Sequence, residues 1–141
     1  MDSGGSCGAA TPVRVLVSED DDQMRTFLAL ALRHEGYDVT TCADGIALVD
    51  HIGAVLASQE DAFGLVISDI RMPGLSGLEF LQGTAAWQGI PPVILITAFG
   101  SEALHDRARR LGAVAVFDKP FDVDDLVRKV TETLQSGSHK Q

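Results

Sequence analysis

The sequence predicts an α/β fold, a doubly wound parallel sheet of five strands with five helices on its two faces, and three observations predict it. Short runs rich in Val and Ile recur along the chain, each followed by apolar residues at helical spacing. Right-handed crossovers between parallel strands place the intervening helices on both faces of the sheet. The third and fourth runs, Phe-Gly-Leu-Val-Ile-Ser and Val-Ile-Leu-Ile-Thr, are continuously apolar rather than alternating, as strands covered on both faces are.

Taken in order, the strand-like runs are Val13–Val17, Tyr37–Thr41, Phe63–Ile67, Val93–Ile96 and Ala113–Phe117. The first helix is expected from near Gln23, capped by Asp21 or Asp22, with Met24, Phe27, Leu28 and Leu32 as its apolar face. Ile46, Val49, Ile52, Val55 and Leu56 mark the second. The third, expected over Leu75–Trp87 with Trp87 covering the sheet near its end, and the fourth, over Glu102–Leu111, show weaker periodicity. The fifth is expected over Val123–Leu134, with Asp122 as N-cap, acids in its first turn, and Arg128 and Lys129 further on, which suits the helix dipole. No internal repeat appears, and low-complexity sequence is confined to a leader at 1–11 and a tail at 136–141, both expected to be disordered around one domain at 12–135.

Composition excludes several classes of function. A net charge of −9 lacks the electrostatic footprint of a nucleic-acid-binding surface, so no direct DNA or RNA contact is expected. No window has the apolar length of a bilayer-spanning helix, and the first residues lack both a basic region and an apolar one, so the expectation is a soluble, cytoplasmic protein with no membrane partner. The two cysteines, Cys7 and Cys42, form no CxxC pair and no even framework, which fits a reducing compartment. His34, His51, His105 and His139 are scattered without zinc-ligand spacing. GxGxxG, GxxxxGK[ST] and GxSxG are all absent.

A sheet of this kind binds ligands beyond the carboxyl ends of its strands, where strand order reverses. Those ends read Ser18-Glu19-Asp20-Asp21-Asp22, Ser68-Asp69, Thr97-Ala98 and Asp118-Lys119-Pro120. Each has an ordinary explanation alone: a helix cap, a β-forming Thr, a surface Lys. Together on one sheet edge they form a constellation. Carboxylates gathered within a few ångströms repel by about 4 kcal/mol per close pair at an effective dielectric near 20, and persist only if a cation compensates. A hard divalent ion such as Mg²⁺, which takes a few carboxylates along with water and phosphate oxygens, suits them. An Asp oxygen could then accept a phosphoryl group, whose oxygens Mg²⁺, a Lys ammonium and a Thr hydroxyl would meet.

Over nearly all of 13–135 the chain resembles a response-regulator receiver domain, the phosphoacceptor domain of two-component signalling. Asp69-Ile70-Arg71-Met72-Pro73-Gly74-Leu75-Ser76-Gly77 is the most specific stretch, joined by Val15-Leu16-Val17-Ser18-Glu19-Asp20, Leu95-Ile96-Thr97-Ala98 and Val116-Phe117-Asp118-Lys119-Pro120-Phe121. The resemblance implies the flavodoxin-like strand order 2-1-3-4-5. It implies that Asp69 is phosphorylated, that Asp20 and Asp69 ligate Mg²⁺ with the backbone carbonyl of Arg71, and that Glu19 acts largely through water. Lys119 would pair with Asp69 and then with the phosphoryl group, Thr97 would turn toward it, Ala98 would leave it room, and Pro120 would follow a cis peptide bond.

Two positions depart from the family pattern. Glu19 stands where an Asp is usual, which leaves open a register in which Asp20 and Asp21 form the acidic pair. Val116 stands where Tyr or Phe often serves as a rotating switch residue, and the adjacent Phe117 should point to the opposite face. Arg71 and Phe99, two residues past Asp69 and Thr97, are large and non-acidic, and are expected to restrict water and slow self-dephosphorylation.

The expected function is therefore a switch rather than a turnover enzyme. It would be charged by a histidine kinase or phosphotransfer protein and read by a protein partner through the 101–134 face, where Arg107, Arg109 and Arg110 offset the acidity. The alternative is a pseudo-receiver acting only as a binding module. A phosphohydrolase with an aspartate nucleophile is disfavoured because Arg71 occupies the place of its usual second acid.

Overall fold

The computed structural model describes residues 11–58 and 62–139. Its strands are β1 (Arg14–Ser18), β2 (Asp38–Cys42), β3 (Phe63–Asp69), β4 (Val93–Thr97) and β5 (Ala115–Asp118), and its helices α1 (Asp22–His34), α2 (Gly45–Ser58), α3 (Gly77–Gly83), α4 (Glu102–Arg110) and α5 (Val123–His139). The strands are all parallel in the order β2-β1-β3-β4-β5. Strand order therefore reverses between β1 and β3, and the crevice at their carboxyl ends is where a ligand is expected.

Alternation along each strand divides the core into two layers. Val15, Val17, Leu65, Ile67, Ile94 and Ile96 pack on α1 and α5 through Leu28, Leu32, Leu126 and Val130. Leu16, Val66 and Leu95 face the other way, toward Leu48 and Ile52 of α2, Leu78 and Phe80 of α3, and Ala108 of α4. Because β3 and β4 are covered on both faces, the polar residues that end them, Asp69 and Thr97, are themselves buried.

Local chemistry sets most boundaries. Asp21, in extended conformation, caps α1 by accepting from the Met24 N–H at 2.7 Å. Asp122 accepts the Asp124 N–H at 2.9 Å ahead of α5. Ser76 and Glu79 form a reciprocal capping box at α3.

Four expectations need correction. Helix α3 ends at Gly83, short of Trp87: Thr84 is its C-cap, with its backbone outside the helical region and its hydroxyl donating back to the Phe80 carbonyl at 2.7 Å. Trp87 lies beyond the helix with 41% of its surface exposed, so it is a partial cover at best. Phe27 belongs to the outer flank of α1, 48% exposed, while Ala29 takes the buried place beside Leu28 and Leu32. The tail expected from 136 is helical as far as His139; once a helix is nucleated each further residue adds a hydrogen bond, and a single Gly costs only about 1 kcal/mol. Residues 1–10 of the expected leader and 140–141 of the tail lie outside the described residues.

Candidate functional site

The rim of the crevice is built by register. Ser18 at the end of β1 pairs with Ser68 of β3, Asp69 with Ile96 of β4, and Thr97 with Asp118 of β5. Glu19, Asp69, Thr97 and Lys119 are thus the first residues at or past the ends of four strands, and parallel pairing alone brings them side by side. The loop after β3 is tied down around Asp69. The Ser18 hydroxyl donates to the Met72 sulfur at 2.9 Å, and the Gly77 N–H bonds the Ile70 carbonyl at 3.0 Å. A Cβ on Gly77 would stand 2.9 Å from the Asp69 carbonyl oxygen, so this close approach requires glycine.

Glu19 and Asp69 are buried, at 0% and 4% exposure, and Asp20 is exposed. Their carboxylates each place an oxygen within 4.8 Å of the others. Lys119 lies between two of them, its Nζ 2.7 Å from Asp69 Oδ2 and 2.8 Å from Glu19 Oε1. The remaining oxygens are used: Asp69 Oδ1 accepts the Arg71 N–H at 3.0 Å, and Glu19 Oε2 accepts the Asp21 N–H at 2.9 Å. Asp21 Oδ2 caps α1, whereas Glu19 and Asp20 are the acids of this turn that gather with Asp69.

One ammonium cannot neutralise two buried carboxylates, and the surplus negative charge bears on Glu19 and on Lys119. Burial, with the Asp69 charge adding to it, pushes the Glu19 carboxyl up to about 7 against the bonds from Lys119 and the Asp21 N–H. Burial lowers Lys119, but the hydrogen bonds and charges of Asp69 and Glu19 outweigh it and hold the ammonium above its ordinary range. The two shifts are compatible because the unpaid negative charge falls on the carboxylate with no access to water. A donor set made only of oxygens, with surplus negative charge and one exposed carboxylate, fits a hard divalent cation such as Mg²⁺. The carbonyl of Arg71 sits on the loop that bonds Asp69.

The neighbouring strand ends carry Thr97-Ala98 and Lys119-Pro120. Thr97 is 1% exposed, its hydroxyl oxygen accepting the Phe99 N–H at 3.1 Å, while its carbonyl accepts the Lys119 N–H at 2.7 Å. Ala98 is exposed, and the Lys119–Pro120 peptide bond is cis. The Arg71 guanidinium lies over the Phe99 ring, 4.3 Å from its centroid, so the two large residues past Asp69 and Thr97 contact each other. Val116 packs on the α2–α3–α4 layer, whereas Phe117 belongs to the α1–α5 layer and meets Phe121 edge-on at 6.0 Å. No aromatic ring at 116 or 117 is therefore available beside Thr97 on the α4 side.

Two contributors were not visible from sequence. Arg25 on α1 donates to the Glu19 carbonyl at 2.8 Å and also pairs with Asp22, pinning the turn that presents Glu19. His105 Nε2 lies 2.9 Å from Asp118 Oδ1, beside Lys119. An Arg one and a half helical turns past the acids could have flagged the first; nothing in the sequence flags the second.

The family model for the response regulator receiver domain matches residues 15–131. This chain belongs to that family. Receiver domains are modules of two-component response regulators; as a family they serve as phosphoacceptors and bind Mg²⁺ at an acidic pocket. Curated relatives include the transcriptional regulatory protein FixJ of Bradyrhizobium diazoefficiens, 34% identical over 90% of this chain and 59% of its own length. PdtaR of Mycobacterium tuberculosis is 38% identical over 84% of this chain and 55% of its own. The chain thus spans little more than half the length of these two regulators. The response regulator receiver protein CpdR of Brucella abortus is matched over 96% of its length at 32% identity, covering 86% of this chain. Among solved structures, a CheY-like receiver domain protein from Methanospirillum hungatei superposes with a TM-score of 0.76 at 26% identity, over 93% of this chain and all of that one. Among the described residues, no helix of this receiver domain is long and apolar enough to cross a membrane.

Proposed function

We propose that this receiver domain accepts a phosphoryl group on Asp69 and uses it to switch the surface it offers a protein partner. The observation that carries this reading is the position of Lys119 Nζ, 2.7 Å from Asp69 Oδ2 and 2.8 Å from Glu19 Oε1. Asp69 Oδ2 would form the bond to phosphorus as the bond from phosphorus to the donor's imidazole nitrogen breaks, the donor being a histidine kinase or phosphotransfer protein. Glu19, Asp20, Asp69 and the Arg71 carbonyl would hold Mg²⁺, which when bound supplies positive charge for the phosphoryl oxygens. Lys119 would meet a second oxygen. The Thr97 hydroxyl would leave the Phe99 N–H and donate to a third, with the exposed Ala98 leaving space beside it.

The Arg71 N–H on Asp69 Oδ1 at 3.0 Å and the Lys119 ammonium on Oδ2 at 2.7 Å together fix the direction of the carboxylate. An open groove of about 500 Å³, lined by Asp20, Arg71, Met72, Pro73 and Ser76, adjoins the acids and gives a donor an approach. Arg71 and Phe99, stacked on one another, would shield the acyl phosphate from water and lengthen its lifetime. We place the protein in the cytoplasm, as a switch without turnover of its own beyond loss of its phosphoryl group. Its reader would be a protein on the face formed by α4, β5 and α5, and the chain's acidity disfavours nucleic acid as its direct partner.

Incubation with Mg²⁺ and acetyl phosphate, followed by intact mass, tests the reading. A stable gain of one phosphoryl group, absent in Asp69→Ala, is expected. No gain in the parent protein would leave only a binding module, and rapid release of phosphate would make it a hydrolase.

A further inference from the structure

The β4–α4 loop carries Thr97, Ala98, Phe99 and Gly100, and two contacts hold it. Inside the loop, the Phe99 N–H donates to the Thr97 hydroxyl at 3.1 Å. Across it, His105 on the first turns of α4 reaches Asp118 at the end of β5, with Nε2 2.9 Å from Oδ1. Gly100 lies directly under this second contact. A Cβ there would stand 1.8 Å from Asp118 Oδ1 and 3.2 Å from His105 Nε2, so the loop backbone is packed against the pair and only glycine admits it.

The contact also sits between the groups that must respond to phosphorylation. Asp118 pairs with Thr97 in the sheet and precedes Lys119, whose N–H bonds the Thr97 carbonyl at 2.7 Å. In the present arrangement the Thr97 hydroxyl is turned into its own loop. A turn toward Asp69 would act against the bond from Phe99, and a shift of the loop would move Gly100 against the pair packed on it. An aromatic ring that could report such a movement is missing from this side of β5, where Val116 stands.

We propose that the hydrogen bond between His105 and Asp118 is a latch that holds the β4–α4 loop in its unphosphorylated position and opens when Thr97 turns toward a phosphoryl group on Asp69. The proposal rests on the phosphoacceptor reading above. Both residues are positioning residues, because neither reaches the reacting atoms. The latch works with a neutral imidazole, whose Nε2–H donates to the carboxylate, as well as with a charged one. Asp118 has 56% of its side chain exposed, and Glu102, Asp106 and Arg109 line the same cleft, so the bond is a weak one. A switch needs weakness here: a contact that favours one state by a small factor biases the equilibrium without locking it.

Linkage gives the test its sign. A ligand that favours the open loop must bind more tightly once a contact unique to the closed loop is gone. Beryllofluoride with Mg²⁺, a stand-in for the phosphoryl group, is titrated calorimetrically into the parent protein, His105→Ala, Asp118→Ala and the double variant, and hydrogen exchange of residues 98–101 is followed in the ligand-free proteins. Each single variant is expected to bind about two- to fivefold more tightly, the range set by an exposed ion pair. The double variant should gain no more than either alone. His105→Gln, which keeps a donor at similar reach, should return toward the parent value, and Gly100→Ala should mimic loss of the pair by displacing the Asp118 carboxylate. Loop exchange should quicken in the two alanine variants before any ligand is added. Equal or weaker binding in the variants, or unchanged exchange, overturns the latch while leaving the phosphoacceptor reading intact. Failure of the parent protein itself to bind would bring down that reading and the latch with it.

Discussion

Two polar side-chain contacts to carboxylates flank the β4–α4 loop at nearly the same distance and differ in almost everything else. Lys119 meets Asp69 and Glu19 at 2.7 and 2.8 Å with side-chain exposures of 18%, 6% and 0%, whereas His105 meets Asp118 at 2.9 Å with exposures of 20% and 56%. Distance therefore says little about what a contact does. Where water is excluded, removing one partner strands a charge and costs several kcal/mol; where water is near, it repairs the loss. Breaking the buried contact should therefore cost far more than breaking the exposed one.

The largest expected effect comes from breaking the buried contact. Lys119→Met, which keeps the aliphatic stem, leaves Glu19 facing Asp69 without compensation and should lower stability by about 3 kcal/mol in metal-free buffer at neutral pH, measured by urea unfolding. A loss below about 1 kcal/mol would erase the distinction between the two contacts.

Titration gives the next effect. With its carboxyl raised from 4.5 to about 7, Glu19 binds a proton more tightly in the folded protein than in the unfolded chain. The metal-free fold should therefore lose stability as pH rises from about 4.5 to about 7, by on the order of 3 kcal/mol if the whole shift acts. Unfolding curves across that window, with and without Mg²⁺, check the sign; the slope should flatten when the cation is present.

A smaller effect is expected where Arg71 covers Phe99. Replacing Arg71→Asn and Phe99→Glu together removes an exposed cation–π contact and opens the site to water, so the phosphorylated protein should hydrolyse about fivefold faster, the equivalent of about 1 kcal/mol in barrier. An unchanged half-life would make both residues ordinary surface. Smallest of all, His105→Ala should change global stability by no more than about 0.5 kcal/mol, and a larger loss would mean that the exposed contact is structural.

What the sequence disclosed follows the same division. The strands and the acids at their ends were legible because β3 and β4 are buried on both faces and announce themselves as unbroken apolar runs, and because parallel register then puts their ends on one rim. Asp69, Glu19, Asp20 and Lys119 could be grouped on that basis. The short α3 was not legible, since the backbone leaves the helix at Thr84 while the apolar spacing runs on. Phe27 fits the periodicity of α1 yet lies outside, while the small Ala29 takes the buried place beside Leu28 and Leu32. The contact of His105 with Asp118 joins residues 13 apart through a loop whose path depends on the space above Gly100, and no local pattern encodes it.

Crowding of charge at Asp69 is most directly tested by melting the metal-free protein, then repeating the scan with millimolar Mg²⁺ and with Asp69→Asn. Binding to the folded state and relief of repulsion should each raise Tm by a few degrees, Mg²⁺ in the parent protein and the substitution without any metal. A parent Tm indifferent to Mg²⁺, together with an Asp69→Asn variant no more stable than the parent, would contradict the existence of a cation site at this rim.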